Sequence, residues 1–289
     1  MARVAFLGLG AMGFHMAGHV ARSGHDVAVY NRTAAKADAW VTAHGGRAFA
    51  TAGEAVHGAD FVCACVGNDD ALRAVTLGEE GAFTAMKPGA IFIDHTTATA
   101  GIARELAAEA TKRELAALDA PVSGGQIGAK NGQLTVMVGG DPAAFARAEP
   151  IIRSYAKAVT LMGPPGAGQL TKMVNQICIA GLMQALAEGI NFAIKAGLDV
   201  ERVLSVIAKG SAQSWTMENR GTSMAKGEFK PGFTVDWMRK DLGICLGEAR
   251  RNGASLPVTE QVDRCYAEIQ RRGGGGWDNS SLIDLLRRQ

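Results

Sequence analysis

The chain has 289 residues, of which 47% are hydrophobic and 20% are charged. These fractions are ordinary for a globular protein and exclude general disorder, and the length is enough for two domains of roughly 150 residues each. The formal net charge is only +2 and no Lys/Arg-rich run is present, so the charge pattern does not predict a nucleic acid partner.

Short apolar segments alternate with helix-like segments through the first half of the chain. The apolar segments are continuous rather than alternating, which is typical of strands covered by helices on both faces. Strands that alternate with helices in this way predict an α/β Rossmann domain with a doubly wound, mostly parallel sheet. The predicted strands are 4–7, 27–30, 61–66, 90–94 and 115–120, with extensions at 134–138 and 159–162, and the predicted helices are 11–23, 34–44 and 102–113.

The strongest turn cluster in the chain is Met162-Gly163-Pro164-Pro165-Gly166, and it predicts a domain boundary. An NADP-binding Rossmann domain is therefore expected over 1–163, and a substrate and oligomerisation domain over 164–289. The second domain has no convincing strand pattern and is predicted to be all-α, beginning with a long interdomain helix. Its predicted helices are 169–195, 200–209, 214–224, 238–252, 257–272 and 280–288.

The cysteine pattern bears on the cellular compartment. Five cysteines are scattered along the chain without a C-x-x-C pair, which predicts neither a zinc site nor a disulfide framework and fits a reducing compartment. A strand-like segment begins at Arg3, so no signal or transit peptide is expected. No apolar stretch is expected to reach the ~18 residues of a membrane span. We therefore expect a cytoplasmic protein without a membrane partner.

The first predicted strand runs directly into a G-x-G-x-x-G sequence, Gly8-Leu9-Gly10-Ala11-Met12-Gly13. The same sequence opens a helix, and a second strand ends about 20 residues later, which is the setting of a dinucleotide-binding loop. The first glycine permits a tight turn, the second lets the backbone approach a pyrophosphate, and the third lets the helix pack against the sheet. Free N–H groups at the helix start would bind the phosphates. The alternative is a glycine-rich turn without a ligand.

The end of the second predicted strand bears on the choice of cofactor. An NAD site usually has a carboxylate there to bind the ribose 2′-hydroxyl, whereas this chain has Asn31, Arg32 and Thr33. Arg32 can pair with a 2′-phosphate in bidentate fashion, and Asn31 and Thr33 can donate hydrogen bonds to it. The segment therefore predicts NADP, with NAD as a possible substitute. The alternative is that Arg32 is only a solvated surface charge.

Two further segments are candidates for the substrate site. Ser123, Gly124 and Gly125 follow a strand and offer a hydroxyl and backbone N–H groups to a carboxylate, at the sheet edge where doubly wound folds bind ligands. A purely structural turn is the alternative there. Lys172 and Asn175 share one face in the first turns of the long helix, close to the domain boundary, where clefts form. Desolvation beside cofactor and substrate would lower the lysine pKa toward neutrality, as a general acid/base requires; an ordinary surface lysine is the alternative.

Four ordered segments resemble the motifs of the β-hydroxyacid dehydrogenase family. They are the glycine loop, the segment from Asp119 to Gly125, the segment from Gly168 to Asn175, and Lys240-Asp241-Leu242. The family includes 3-hydroxyisobutyrate dehydrogenase, tartronate semialdehyde reductase and the glyoxylate/succinic semialdehyde reductases. The resemblance covers the whole chain and implies a Rossmann domain followed by an α-helical domain that supports homodimers or homotetramers.

The resemblance also implies roles for single residues. Lys172 would be the catalytic lysine, with Asn175 as its substrate-positioning neighbour, and the residues from Ser123 to Gly125 would bind the substrate carboxylate. Lys240 would reach the cofactor or the substrate. Residues beside the nicotinamide half of the cofactor would be Val66, Gly67 and Thr96.

Two segments depart from the family pattern, and both bear on the shape of the pocket. Where the family usually has Leu-Pro after the third strand, this chain has Val66-Gly67-Asn68-Asp69. Where the family usually has Asp-x-Ser-Thr followed by Pro, this chain has Asp94-His95-Thr96-Thr97-Ala98-Thr99. Thr96 keeps a hydroxyl in that segment.

Residues and resemblance together predict an NADP-dependent oxidoreductase. It would transfer a hydride between nicotinamide and a short β-hydroxy acid or carboxylated semialdehyde, with Lys172 as general acid/base. No metal is expected, because His15 and His19 stand at i and i+4 without a third ligand. Two alternatives stay open. An imine reductase shares the architecture but usually lacks the lysine, and a non-catalytic NADP-binding module would be expected to have lost it.

Overall fold

A computed structural model describes residues 1–287 of the chain. They form two compact units, Met1–Lys172 and the segment from Met173 onward. The predicted boundary between 163 and 164 lies nine residues before the division between these units, at the end of the last strand.

The first unit is built on a sheet of nine strands. Its path is β3-β2-β1-β4-β5-β6-β8-β7, with β9 beside β8. The pairs from β3 to β6 are all parallel, and β8 enters antiparallel to both β6 and β7. The order of the first six strands is that of a doubly wound dinucleotide-binding fold. The strands are β1 Arg3–Leu7, β2 Asp26–Tyr30, β3 Arg47–Ala48, β4 Phe61–Ala64, β5 Ile91–Asp94, β6 Ala116–Asp119, β7 Val122–Ser123, β8 Leu134–Gly139 and β9 Ala156–Gly163.

The central strands of this sheet are buried on both faces, which explains the continuous apolar runs in the sequence. In β1, Val4 and Phe6 join the core on one face, whereas Ala5 and Leu7 join a second core on the other. Alternate residues of a strand point to opposite faces, so a strand covered on both sides needs apolar residues at every position. The covering helices are α1 Gly13–Arg22, α2 Ala34–His44, α3 Ala52–Val56, α4 Asp69–Leu77, α5 Ala82–Ala85, α6 Ala100–Thr111, α7 Gly125–Asn131 and α8 Pro142–Ile152.

The second unit is helical from Met173 to Arg287. A third core fills it, with Met183, Leu242 and Tyr266 among its fully packed side chains. Within the described residues it contains one isolated bridge, between Thr234 and Asp278, and no strand. The predicted fold class, a Rossmann sheet followed by an all-α domain, is confirmed. The helices are α9 Ala167–Lys195, which starts in the first unit, α10 Val200–Ile207, α11 Trp215–Lys226, α12 Val235–Asn252, α13 Pro257–Arg271 and α14 Leu282–Arg287.

The last helix begins with a 3-10 turn, Asn279–Ser281, and its predicted end at Arg288 lies outside the described residues.

The expectation that no segment could read as a membrane span is wrong for α9, whose 29 residues include a window of mean hydropathy 1.6. The test uses length and composition alone, 33% of that window is buried, and the core helix of a soluble protein can pass the same test.

Candidate functional site

The predicted nucleotide-binding residues of the first unit follow the carboxyl ends of four parallel strands. Gly8 comes directly after β1 and Asn31 after β2, while Val66 and Thr96 come one residue later, after β4 and β5. Strand order reverses between β1 and β4, and doubly wound folds bind their ligands outside the carboxyl ends of the strands at this reversal. The sheet therefore brings these residues to the edge that the fold uses for binding.

The glycine loop has the shape that a pyrophosphate requires. Gly8 has a φ of 95°, and a Cβ on it would collide with the carbonyl of Cys65. A Cβ on Gly13 would collide with the carbonyl of Gly8, whereas one on Gly10 would meet no atom within 4 Å. Packing within the protein thus demands Gly8 and Gly13, while Gly10 leaves open space beside the backbone. No side chain caps the start of α1 and its first turn holds no acidic residue, so the loop fits a dinucleotide phosphate.

Asn31 is hydrogen-bonded both to the glycine loop and to the turn that follows β2. Its Oδ1 accepts a hydrogen bond from the Leu9 backbone N at 2.9 Å, and its Nδ2 donates to the Thr33 carbonyl at 2.9 Å. The neighbouring Arg32 is exposed. Thr33 precedes α2, and its hydroxyl makes no capping hydrogen bond to that helix. Both the guanidinium and the hydroxyl thus stand at the surface beside the end of β2.

The loops after β4 and β5 are tied together by hydrogen bonds. The Val66 backbone N donates to Thr96 Oγ1 at 3.0 Å. Asp69 accepts from the Thr99 backbone N at 3.0 Å and from the Thr99 hydroxyl at 2.5 Å. Asp69 and Thr99 belong to the two segments that depart from the family pattern. These two segments are therefore joined directly by the hydrogen bonds of Asp69.

The segment Ser123 to Gly125 lies at the end of β7. Ser123 and Gly124 are half-buried and Gly125 is exposed. Gly124 and Gly125 have φ angles of 124° and 60°, a region that glycine enters without steric cost. These positive angles turn the backbone directly into α7. A serine hydroxyl and two glycine N–H groups are thus presented within three residues.

The start of α9 is hydrogen-bonded to a buried carboxylate from another element. Asp119, at the end of β6, is 4% exposed. Its Oδ1 accepts from the Gly166 backbone N and its Oδ2 from the Gln169 backbone N, both at 2.8 Å. Burial raises the pKa of this carboxyl, and the backbone hydrogen bonds oppose that rise. Asp119 therefore acts as a cap for a helix that begins about 50 residues later in the chain.

Lys172 lies one turn into α9 and is 7% exposed, so it is not a surface lysine. Gln169, three residues earlier, is fully buried. Its Nε2 donates to the Thr96 carbonyl at 2.7 Å, and its Oε1 accepts from the Ala98 backbone N at 3.1 Å. Residues three apart share a helix face. The helix that carries Lys172 is thus bonded to the loop that carries Thr96.

In the second unit, Asn175 and Lys240 belong to one hydrogen-bonded cluster. Asn175 Nδ2 donates to Gln176 Oε1 at 2.7 Å, and Gln176 Nε2 donates to Asp241 Oδ2 at 2.7 Å. Asp241 is buried, and its Oδ1 lies 3.1 Å from Lys240 Nζ. The Lys240 ammonium also lies 5.3 Å from the centre of the Trp237 ring. Two residues predicted to bind ligands are therefore oriented through Gln176 and Asp241.

Two buried titratable residues, Asp94 and His95, directly precede Thr96. His95 Nδ1 lies 2.7 Å from the Ala120 carbonyl, which can only accept, so Nδ1 carries the proton and Nε2 accepts from the Tyr155 hydroxyl at 2.9 Å. Burial lowers the pKa of His95 to about 4. Burial also raises the pKa of Asp94 to about 7, although the Thr96 backbone N donates to it. His95 is thus neutral near neutral pH, whereas Asp94 exchanges its proton in that range.

No group of three or more metal-binding side chains comes together in residues 1–287. His19 Nε2 instead lies within 3.1 Å of the carbonyls of Ala129 and Lys130. An imidazole nitrogen that donates to carbonyls cannot at the same time bind a metal.

Three polar residues with structural links to the candidate site carried no separate prediction: Gln169, Asp69 and Asp241. Asp241 stands beside Lys240 in a recognised motif, and Gln169 stands three residues before Lys172, so helical spacing was an available signal for Gln169. Asp69 offered no such signal, because its partner Thr99 lies 30 residues away.

Two family models together match most of the chain. Residues 3–163 match the NAD binding domain of 6-phosphogluconate dehydrogenase, and residues 166–286 match the NAD-binding domain of NADP-dependent 3-hydroxyisobutyrate dehydrogenase. An uncharacterized oxidoreductase of Shewanella frigidimarina is 58% identical over 100% of this chain and 99% of its own length. The 2-hydroxy-3-oxopropionate reductase of Escherichia coli is 34% identical, with 98% of this chain and 97% of that protein covered.

A solved structure agrees with these matches. The 3-hydroxyisobutyrate dehydrogenase of Mycobacterium tuberculosis, crystallised with L-serine, superimposes with a TM-score of 0.90 at 33% identity, and 99% of each chain is covered. This chain is thus similar to these proteins along its whole length. The similarity agrees with the glycine loop, the strand order of the sheet and the helical second unit. The chain belongs to the β-hydroxyacid dehydrogenase family, and it is an NAD(P)-binding oxidoreductase of the 3-hydroxyisobutyrate dehydrogenase and tartronate semialdehyde reductase type that acts on CH–OH groups.

Proposed function

We propose that the protein is an NADP-dependent reductase of short carboxylated aldehydes, or in reverse a dehydrogenase of the matching β-hydroxy acids. The observation that carries this proposal is the burial of Lys172 on a helix that is bonded to the Thr96 loop. Lysine is rarely buried in proteins, and a buried lysine is well suited to acid–base chemistry. Imine reductases usually lack a lysine here, so Lys172 favours carbonyl over imine substrates.

The residues of this chain supply binding, orientation and a proton. When bound, the nicotinamide would supply the hydride in reduction and accept it in oxidation. Lys172 donates a proton to the carbonyl oxygen as it becomes an alkoxide, and removes that proton in the reverse direction. The hydroxyl of Ser123 and the N–H groups of Gly124 and Gly125 bind the substrate carboxylate. Asn175 orients the substrate, and Lys240 adds positive charge near the anionic ligands.

The preference for NADP rests on the charge at the end of β2. Arg32 is exposed there and no carboxylate stands at positions 31–33, so a 2′-phosphate would meet a guanidinium rather than a repelling acid. The residues beside the nicotinamide in this proposal are Val66, Gly67 and Thr96.

The test is an NADPH-oxidation screen. Wild-type protein is offered glyoxylate, succinic semialdehyde and tartronate semialdehyde, and in reverse NADP⁺ with 3-hydroxyisobutyrate. Simple aldehydes without a carboxylate and cyclic imines serve as comparison substrates, and NADH replaces NADPH in a parallel series. We expect turnover of at least one carboxylated aldehyde and a higher kcat/KM with NADPH than with NADH.

Variants separate the proposed roles. Lys172→Met should lower kcat by about 10²–10⁴-fold, the scale of acid–base catalysis, with NADPH affinity retained. Lys195→Met changes an exposed lysine on the same helix and should leave kcat unchanged. Arg32→Ala should weaken NADPH more than NADH. Turnover of imines but not aldehydes, or near-normal kcat in Lys172→Met, would remove the proposed chemistry.

We further propose that the chain self-associates as a homodimer or homotetramer in the cytoplasm. Support comes from one face of α9, where Val174, Cys178, Leu182, Ala185, Gly189 and Phe192 are all exposed. These six residues, the α9 stripe, follow one another at intervals of three or four and carry no charge. All five cysteines are free thiols in the structure, which fits a reducing compartment.

A further inference from the structure

Two residues of the proposed active site, Thr96 and Lys172, are separated by more than 70 residues of chain in the first unit. Thr96 lies at the end of β5, and Lys172 lies on α9. Acid–base catalysis depends on the position of the proton donor, and a displacement of about 1 Å can cost 10²-fold in rate. The reaction therefore requires contacts that fix the position of α9 relative to the loop after β5.

Gln169 makes that connection with both ends of its amide. Its Nε2 donates to the Thr96 carbonyl at 2.7 Å and its Oε1 accepts from the Ala98 backbone N at 3.1 Å. The side chain is fully buried, so water cannot replace either bond. A primary amide is the side chain that matches one backbone acceptor and one backbone donor at once.

The backbone of Gln169 is also hydrogen-bonded, to a side chain at the end of β6. Asp119 Oδ2 accepts from the Gln169 backbone N at 2.8 Å. Gln169 is therefore bonded to the ends of both β5 and β6. Lys172 follows three residues later on the same rigid helix, so its Cα inherits the position that Gln169 sets.

We propose that Gln169 is a positioning residue, which fixes the Lys172 ammonium relative to the Thr96 loop. The inference rests on the proposed function, in which Lys172 transfers the proton. Gln169 itself touches neither of the reacting atoms. Its side chain should therefore affect kcat through Lys172, while NADPH binding at the glycine loop stays nearly unchanged.

Gln169→Met keeps the length of the side chain and removes both hydrogen bonds. We expect kcat to fall by about 10–100-fold, with the Kd for NADPH changed by less than ~3-fold. In a Lys172→Met background the same change should have no further effect on kcat, since residues that act as a unit are not additive. An additive loss in the double variant would mean that Gln169 has only a structural role.

Gln169→Glu gives a pH-dependent test that does not depend on the loss of a bond alone. The ionised carboxylate faces the Thr96 carbonyl and repels it, whereas the protonated acid can donate to that carbonyl and still accept from Ala98. The ratio of kcat in the variant to kcat in wild type should therefore rise as the pH falls from 8 toward 6. An unfolded variant would show no such recovery. Gln261→Glu and Gln261→Met, on the exposed side of α13, are the matched controls.

A measurement without turnover keeps this inference separate from the proposed function. Lysines are reductively methylated with ¹³C, and the Lys172 resonance is identified by its loss in Lys172→Met. We expect this resonance to shift in Gln169→Met and to stay in place in Gln261→Met. An unchanged resonance would overturn the positioning role whether or not the substrate panel reacts. A failure of wild-type turnover with a shifted resonance would overturn the proposed function alone.

Discussion

Two neighbouring residues at the end of β5 titrate in opposite senses. Unfolded His95 binds a proton below its usual pKa of 6.5, whereas folded His95 resists protonation down to about 4. Its contribution to stability is complete above pH 6.5 and is lost as the pH falls toward 4. Folded Asp94 keeps its proton up to about pH 7 and the unfolded residue loses it near 3.8, so its contribution is lost as the pH rises across the same window.

Asp94→Asn should reveal how His95 contributes to the pH dependence of stability. The amide keeps an acceptor for the Thr96 backbone N and cannot ionise, so the urea midpoint should rise with pH between 4 and 6.5 more steeply than in wild type. We expect the free energy of unfolding of this variant to rise by about 3 kcal/mol between pH 4 and 6.5, because one unit of pKa shift corresponds to about 1.4 kcal/mol. Asp38→Asn, at an exposed position on α2, should follow the wild-type profile. Identical slopes in Asp94→Asn and wild type would show that Asp94 does not titrate there.

At the scale of the element, the start of α9 depends on a carboxylate from another strand. Most helices of the first unit that have a side-chain cap take it from their own N-cap residue; Asp141 caps α8 and Thr99 caps α6 in this way. Asp119 instead satisfies two backbone N–H groups of a helix that is distant in sequence. The carboxylate also places negative charge at the positive end of the helix dipole.

Asp119→Asn should destabilise the first unit and disturb the start of α9. Only one of the two side-chain atoms of asparagine can accept, so either Gly166 or Gln169 would face an amide NH₂ instead of an acceptor. We expect a loss of about 1–3 kcal/mol in the free energy of unfolding, the cost of a buried unsatisfied donor. Asp141→Asn, at the exposed cap of α8, should cost less, because asparagine is itself a good N-cap. Equal losses in the two variants would contradict the role given to Asp119.

The elements differ in how far the sequence alone could predict them. The central strands were readable because both of their faces are buried. In contrast, β3 consists of two exposed residues, Arg47 and Ala48, and carries no apolar signal. Helix α3 was missed although Thr51 and Glu54 form a capping box before it, which is a signal that sequence does contain. The bond of Asp119 to α9 had no local signal, because its partners are set by the packing of the unit rather than by spacing.

For the whole molecule, the α9 stripe bears on assembly. Its six residues span about 27 Å of helix at 1.5 Å per residue, and Phe192 at one end is 72% exposed. Ala185 and Gly189 lie between the larger side chains, so a second helix could approach the stripe closely. A homodimer covers such a face with its own copy, since a two-fold interface pairs the same surface of both subunits.

Phe192→Glu and Leu182→Glu should shift the molar mass in light scattering toward the monomer, because a charge buried in a dimer interface is strongly unfavourable. Met162→Glu changes an exposed apolar residue on β9 and should leave the mass unchanged. Wild type that is monomeric at micromolar concentration would contradict self-association. Binding of that monomer to lipid vesicles, abolished by Phe192→Glu, would assign the stripe to a membrane surface instead.

The amide of Asn31 has one partner in the glycine loop and another in the turn after β2. Its oxygen anchors the glycine loop through Leu9, and an aspartate at the same position would offer an equivalent oxygen for that anchor. Aspartate in place of Asn31 would therefore add a negative charge beside Arg32 and lose the hydrogen bond to the Thr33 carbonyl, while the acceptor for Leu9 is kept. A single position thus links the fold of the glycine loop to the charge beside the adenosine ribose, and the two can be altered separately there.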